Sequence, residues 1–146
     1  MRRFFAIIVA SCGVAAGYAV AQSPGPVPIR PSELRWLSPP NVSGLQAAWV
    51  LGAENIPGPY ILRVQLAAGA RIPPHTHPDE RNTTVLAGTI YVGFGERFDE
   101  TKVVAVSAGE VFLTPANLAH YVWARDAAAT YQEAGIAPTA TAFIEQ

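Results

Sequence analysis

The sequence predicts an all-β protein, a sandwich or barrel built from antiparallel strands. Short apolar segments rich in Val, Ile, Tyr and Thr follow one another about every ten residues, separated by turn residues. No stretch keeps the period of about 3.6 residues that an amphipathic helix needs. The chain has 146 residues, 50% hydrophobic and 14% charged, a composition that excludes a disordered protein. Basic and acidic residues number 10 and 11 with no basic cluster, so we expect no nucleic-acid partner.

The N-terminal residues predict export. Two arginines precede the uncharged segment 4–20, which leads into an Ala-x-Ala cleavage pattern. We therefore expect residues 1–21 to be a cleaved signal peptide. The mature protein would begin at Gln22, would be periplasmic or secreted, and would not associate with a membrane. Lipidation of Cys12 is the alternative, but it would leave an apolar region of only eight residues, Phe4 to Ser11.

Two regions follow the signal peptide. Residues 22–41 contain six prolines and predict an extended N-terminal arm, with a disordered linker as the alternative. Residues 42–146 form the predicted β domain. The segments predicted as strands are Leu45–Leu51, Tyr60–Leu66, Thr83–Leu86, Thr89–Phe94, Val103–Val106, Glu110–Thr114, His120–Ala124 and Thr130–Gly135. Ala87 and Gly88 are predicted to close a hairpin between the third and fourth of these segments.

The three histidines of the chain are spaced so that they can converge on one metal ion. His75 and His77 are one residue apart, so on a strand both imidazoles project from the same face. His120 follows a turn-rich segment and begins a later strand. Imidazole suits divalent transition metals, and three such ligands leave coordination positions open. We therefore expect a divalent-metal cofactor, either Fe, Mn, Ni, Cu or Zn.

Two motifs resemble the signature sequences of the cupin family. The first runs from Gly69 through His75-Thr76-His77 to Gly88, and the second runs from Gly109 through Pro115 and Asn117 to His120. The resemblance implies an antiparallel double-sheet barrel of the jelly-roll type. It also implies a metal bound by the three histidines and, as in many small members of the family, a homodimer.

One position departs from the family pattern. Cupin metal sites often have a glutamate four residues after the second histidine, and that position is Arg81 here. Its neighbour Glu80 is a candidate fourth metal ligand if a bulge turns its side chain inward. Arg81 is a candidate substrate-binding residue, because a guanidinium matches a carboxylate, but it could instead pair with Asp79 or Glu80. Gln132 is a second candidate substrate contact.

Two functions remain open at the level of sequence. The first is a metal-dependent, dioxygenase-type oxidoreductase acting on a small organic anion, since three neutral imidazoles leave the charge of a divalent ion uncompensated. The second is a barrel that binds a metal or a small-molecule ligand without turnover. The sequence identifies no catalytic residue and no particular substrate.

Overall fold

The fold is an antiparallel double-sheet barrel, as predicted. The computed structural model describes residues 27–145, and within this range there are two five-stranded sheets. The strands are β1 (Leu45–Leu51), β2 (Gly58–Leu66), β3 (Arg71–Thr76), β4 (Arg81–Ala87), β5 (Thr89–Phe94), β6 (Val104–Ser107), β7 (Val111–Thr114), β8 (His120–Trp123), β9 (Ala129–Ala137) and β10 (Ala142–Phe143). The predicted signal peptide and residues 22–26 of the arm lie outside the described residues. Between residues 27 and 145, no helix has the length and apolar character needed to cross a membrane.

The two sheets enclose one apolar core. The first sheet has the strand order β1-β2-β9-β4-β7 and the second has the order β10-β3-β8-β5-β6. Because side chains alternate along a strand, one face of each sheet points into the barrel. On β9, for example, Ala129, Tyr131 and Glu133 are buried. Val64 and Val85 from the first sheet belong to one core cluster with residues of the second sheet.

The chain passes from one sheet to the other at Gly88, so the predicted hairpin there is wrong. Strand β4 already has β9 and β7 as neighbours, whereas β5 pairs with β8 and β6 in the second sheet. Gly88 has a φ of 74°, and a Cβ atom there would lie 2.6 Å from the carbonyl oxygen of Ala128. Only glycine fits this turn, which connects the two sheets.

The segment preceding β1 is joined to the barrel. The Leu37 amide donates to the Ala47 carbonyl, and the Ala47 amide donates to the Leu37 carbonyl, both at 2.8 Å. These two bonds extend the first sheet by one isolated bridge beside β1. Farther along, Val42 is 4% exposed and belongs to the core cluster. This part of the chain therefore covers the edge of the first sheet.

Candidate metal centre

Adjacent strands bring the three histidines together. His75 on β3 lies directly opposite His120, the first residue of β8, in the antiparallel register. His77 lies just beyond the end of β3, two positions from His75. All three are buried, with 4% of His75, 3% of His77 and 2% of His120 exposed. The predicted convergence of the three side chains is confirmed.

The rings are close enough to share one ion. The ring centroids of His75 and His120 are 4.2 Å apart, those of His75 and His77 are 4.8 Å apart, and those of His77 and His120 are 5.1 Å apart. The candidate ligand nitrogens, one from each ring, all lie within 4.8 Å of one another. Three imidazole nitrogens at such separations can bind one transition-metal ion and leave further positions free.

Backbone carbonyls determine which nitrogen of each ring is available to a metal. Nδ1 lies 2.8 Å from the Pro73 oxygen in His75, 2.8 Å from the Ala140 oxygen in His77 and 3.1 Å from the Leu118 oxygen in His120. A carbonyl only accepts, so Nδ1–H is the donor and Nε2 carries the lone pair in every ring. The Nε2 atom of His77 is buried and has no hydrogen-bond partner among the residues that the structure describes. This set of donors fits a metal ion.

Burial keeps the imidazoles neutral. It is the largest cause of a pKa of about 3 for His75 and about 2 for His77, and it also lowers the pKa of His120. The nearby positive charge of Arg81 lowers the pKa of each ring further. The rings are therefore uncharged at neutral pH, which is the state that binds a metal.

Asn117, which has a left-handed backbone conformation, holds the loop before His120 in place. Asn117 has a φ of 61°, a conformation that asparagine tolerates better than most residues. Its backbone amide donates to the carbonyl of His77 at 2.7 Å. The loop before β8 is thereby bonded to the residue that follows β3, which connects the two segments carrying the histidines.

Arg81 points into the barrel and forms a buried polar network. Its Nη1 donates to Glu133 Oε2 at 2.6 Å and its Nη2 donates to Thr139 Oγ1 at 2.8 Å. Its Nε lies 3.7 Å from Asp79 Oδ1, so the predicted alternative pairing with Asp79 is present. Asp79 in turn accepts hydrogen bonds from Thr139 and, at 2.6 Å, from the Tyr60 hydroxyl.

The network also reaches the metal ligands. Arg81 Nη2 lies 3.5 Å from the same Ala140 carbonyl that accepts Nδ1–H of His77. Arg81 therefore contacts the backbone group that orients His77. Because its guanidinium is already bonded to protein oxygens, Arg81 stabilises the arrangement of the residues around the histidines.

The other two candidate residues lie elsewhere. Glu80 is exposed, and among the described residues the donor group comprises the three histidines without it. Gln132 lies one position from the inward-facing Glu133 and accepts a hydrogen bond from Arg63 at 2.7 Å. Glu133 was missed by the sequence analysis, although strand alternation from the core residue Tyr131 would have placed it on the inner face.

A cavity of about 260 Å³ lies beside the histidines. Its walls include His75 and His77, the Arg81–Glu133 pair, and apolar side chains of both sheets and of the segment before β1. Glu133 is buried there, and burial raises the pKa of its carboxyl group even though the charge and hydrogen bond of Arg81 act in the opposite direction. The cavity gives a small molecule room next to the metal ligands.

The two sheets and the three convergent histidines define the class of this protein: a small β-barrel with a candidate metal centre. Residues 62–131 of the chain match the family of the Cupin domain, so this part of the barrel is a cupin domain. Its matched relatives include two rice proteins (Oryza sativa subsp. japonica). Germin-like protein 5-1 is 39% identical over 71 residues, which cover 47% of this chain and 31% of the relative. Germin-like protein 3-1 is 36% identical over 80 residues, which cover 54% of this chain and 36% of the relative. The chain thus spans about a third of these relatives.

Solved structures with the same fold include one at low sequence identity and two at higher identity. The polyketide cyclase RemF from Streptomyces resistomycificus superposes with a TM-score of 0.68 at 13% identity, over 82% of this chain and 86% of that one. An oxalate oxidase superposes with a TM-score of 0.58 at 26% identity, over 73% and 57% of the two chains. An oxalate oxidase in complex with the substrate analogue glycolate gives a TM-score of 0.51 at 28% identity, over 60% and 46%.

Proposed function

We propose that this cupin holds one divalent transition-metal ion through His75, His77 and His120 and acts as a dioxygenase-type oxidoreductase on a small organic anion. The observation that carries the metal assignment is the buried, unpartnered Nε2 of His77, beside two other rings whose Nδ1 atoms are also bonded to carbonyls. A buried polar nitrogen without a partner is costly, and a bound cation would satisfy it. Similarity to oxalate oxidase, an enzyme whose substrate is a small organic acid, supports the catalytic part of the proposal.

The residues of this chain have distinct roles in the proposal. The histidines would hold the ion. When bound, the ion would supply positive charge to attract an anionic oxygen and, if redox-active, would exchange electrons. Glu80 is left out of the ligand set because its side chain is exposed. Arg81 acts as a positioning residue through Ala140, and Glu133 neutralises the charge of Arg81 beside the cavity.

Metal analysis tests the assignment. We expect about one transition-metal ion per chain in protein purified from its native source, and His77→Ala and His120→Ala should each abolish stoichiometric binding. Tyr91→Phe, which changes an exposed hydrogen bond between Tyr91 and Asp126, is the matched control and should retain the metal. Equal metal content in all four proteins would refute the site.

Oxygen consumption tests the reaction. The metal-loaded protein should consume dioxygen with at least one member of a panel of small acids and phenols, and His120→Ala should not. A protein that keeps its metal but consumes no dioxygen with any of these compounds would instead be the binding barrel considered from the sequence.

We also propose that the protein is exported after cleavage at Gln22. The support is the sequence pattern of residues 1–21. Intact-mass spectrometry of the periplasmic or secreted fraction should give a chain beginning at Gln22. A cytosolic protein retaining Met1, or one lipidated on Cys12, would contradict this proposal.

A further inference from the structure

The cavity beside the histidines has one buried polar region. The groups of this region are connected to one another: Arg81 bonds to Glu133 and Thr139, and it shares the Ala140 carbonyl with His77. The other charged lining residue, Glu54, is exposed. Most of the remaining wall consists of aliphatic and aromatic side chains, among them Leu45, Ala47, Leu62, Val64, Ile72 and Phe143. A ligand that fills this space needs an apolar body and a polar group directed at the histidines.

Residues 27–145 offer such a ligand no free cation inside the cavity. Arg81 is the only Arg or Lys among the residues that line it. Both of its terminal nitrogens donate to protein oxygens, and its Nε, which has no hydrogen-bond partner among the described residues, lies 3.7 Å from Asp79 Oδ1 in an ion pair. Its side chain is 4% exposed. A substrate carboxylate would have to displace Glu133 from a 2.6 Å ion pair in order to reach the guanidinium.

The charges around the cavity set the charge of the ligand. Glu54 also lines the cavity, but it is exposed, so solvent screens its charge. Among the buried charged groups, with both carboxyl groups ionised, Arg81, Asp79 and Glu133 together carry one net negative charge. A divalent ion on the neutral histidines brings the total to one positive charge, so one anionic oxygen makes the site neutral. A dicarboxylate would leave an extra negative charge among apolar walls and beside Glu133, where desolvation is expensive.

The volume limits the size of the apolar body. An apolar protein cavity of about 150 Å³ accommodates benzene. The cavity here, at about 260 Å³, therefore has room for a substituted ring or two fused rings.

From these observations we infer that the cavity takes a phenol or an enol, a ligand with one acidic hydroxyl on a compact apolar body, in preference to a small dicarboxylate. The inference rests on the proposed function, because the ion held by the histidines would bind the hydroxyl oxygen. Ala47 and Leu62, which line the cavity from β1 and β2, then determine specificity by limiting the space for the ring.

Calorimetric titration of the zinc-loaded full chain tests the inference with three ligands: 4-ethylphenol, its methyl ether 4-ethylanisole, and malonate. We expect 4-ethylphenol to bind at least about tenfold more tightly than either of the others, because it alone can release a hydroxyl proton to the buffer and bind as one anionic oxygen on an apolar body. Ala47→Leu and Leu62→Phe should each weaken 4-ethylphenol by about tenfold or more through steric filling, while zinc affinity stays unchanged. Ala105→Leu, an equivalent change at an exposed position on β6, should have no effect.

The outcomes separate the ligand class from the metal site. Malonate binding as tightly as 4-ethylphenol, or wild-type affinity in both cavity-filling variants, would overturn the inference even with zinc bound. Equal affinity for 4-ethylphenol and 4-ethylanisole would overturn the role of the hydroxyl. Failure of the wild-type protein to bind zinc would refute the proposed function. The cavity would then be tested on the metal-free protein, where loss of 4-ethylanisole binding in Ala47→Leu would support it and unchanged binding would overturn it.

Discussion

Replacing Arg81 by methionine should destabilise the protein strongly, because Arg81 is the only cation in a buried network that also contains two carboxyl groups. The side chains of Asp79 and Glu133 are 9% and 10% exposed, and Glu133 loses its 2.6 Å partner in the variant. Removing one member of a buried ion pair costs about 3–5 kcal/mol. For a domain of this size, that corresponds to a fall in Tm of about 10 °C or more.

The loss should depend on pH. Burial already raises the pKa of Glu133, and loss of the guanidinium raises it further. When the pKa of a carboxyl group is higher in the folded state, the folded state binds the proton more tightly than the unfolded chain does. The free energy of unfolding therefore falls as pH rises and the carboxyl group loses its proton. Arg81→Met should therefore be more destabilising at pH 8 than at pH 5.

A double variant isolates the ion pair. Arg81→Met combined with Glu133→Gln removes the unpaired carboxylate, while Asp79 keeps its hydrogen bonds from Tyr60 and Thr139. We expect it to recover about 1–3 kcal/mol relative to Arg81→Met alone. Arg81→Glu should be less stable than Arg81→Met, since it places a third carboxyl group in the network.

Urea unfolding of the metal-free proteins at pH 8 and pH 5 measures these differences. A loss below about 1 kcal/mol for Arg81→Met, the scale of an exposed ion pair, would show that the network contributes little. A double variant less stable than Arg81→Met at pH 8 would show that Glu133 stabilises the fold independently of Arg81.

Three further predictions follow from other parts of the structure. Burial holds the imidazole pKa values low, so the folded metal-free protein binds fewer protons than the unfolded chain below about pH 6.5. Its free energy of unfolding should fall by up to about 1.4 kcal/mol per pH unit for each histidine as pH falls toward 4. Thermal unfolding at acidic pH should show a smaller loss of stability in His→Gln variants. A Cβ atom at Gly135 would lie 2.5 Å from an Asp79 oxygen and 2.6 Å from the Tyr60 hydroxyl. Gly135→Ala should therefore cost about 1–3 kcal/mol in urea unfolding, and an unchanged midpoint would contradict this. Strand β7 is an open edge of the first sheet, and its Val111 and Leu113 are 54% and 56% exposed. We expect a homodimer to cover such an edge. Light scattering should give twice the chain mass, and a monomer at micromolar concentration would exclude the dimer.

Most of the fold follows from local sequence patterns. The predicted bounds of β1 and β5 are those of the structure, because period-2 patterning and flanking turn residues identify such strands directly. Strand β3 was missed because Pro73 and Pro74 lie inside it, and proline cannot donate to a strand ladder. The register of β3 against β8 is irregular between Ile72 and His75, the interval that contains both prolines.

The candidate site was predictable to the extent that it depends on spacing. One intervening residue places His75 and His77 side by side, and the turn before β8 presents His120. The neighbours of Arg81 were not predictable in this way, because Glu133 is 52 residues away and Thr139 is 58 residues away. Such contacts depend on which strands become neighbours in a sheet, and spacing alone does not determine that.

Arg81 and Glu133 form one electrostatic unit and cannot be interpreted separately. An arginine alone would add positive charge beside a divalent ion, which is unfavourable. Glu133, which faces inward from β9, supplies the compensating carboxylate at 2.6 Å. The pair as a whole therefore adds no net charge beside the metal site, although the position of the usual glutamate is occupied by an arginine. A change at either position should accordingly be tolerated best when the other changes with it.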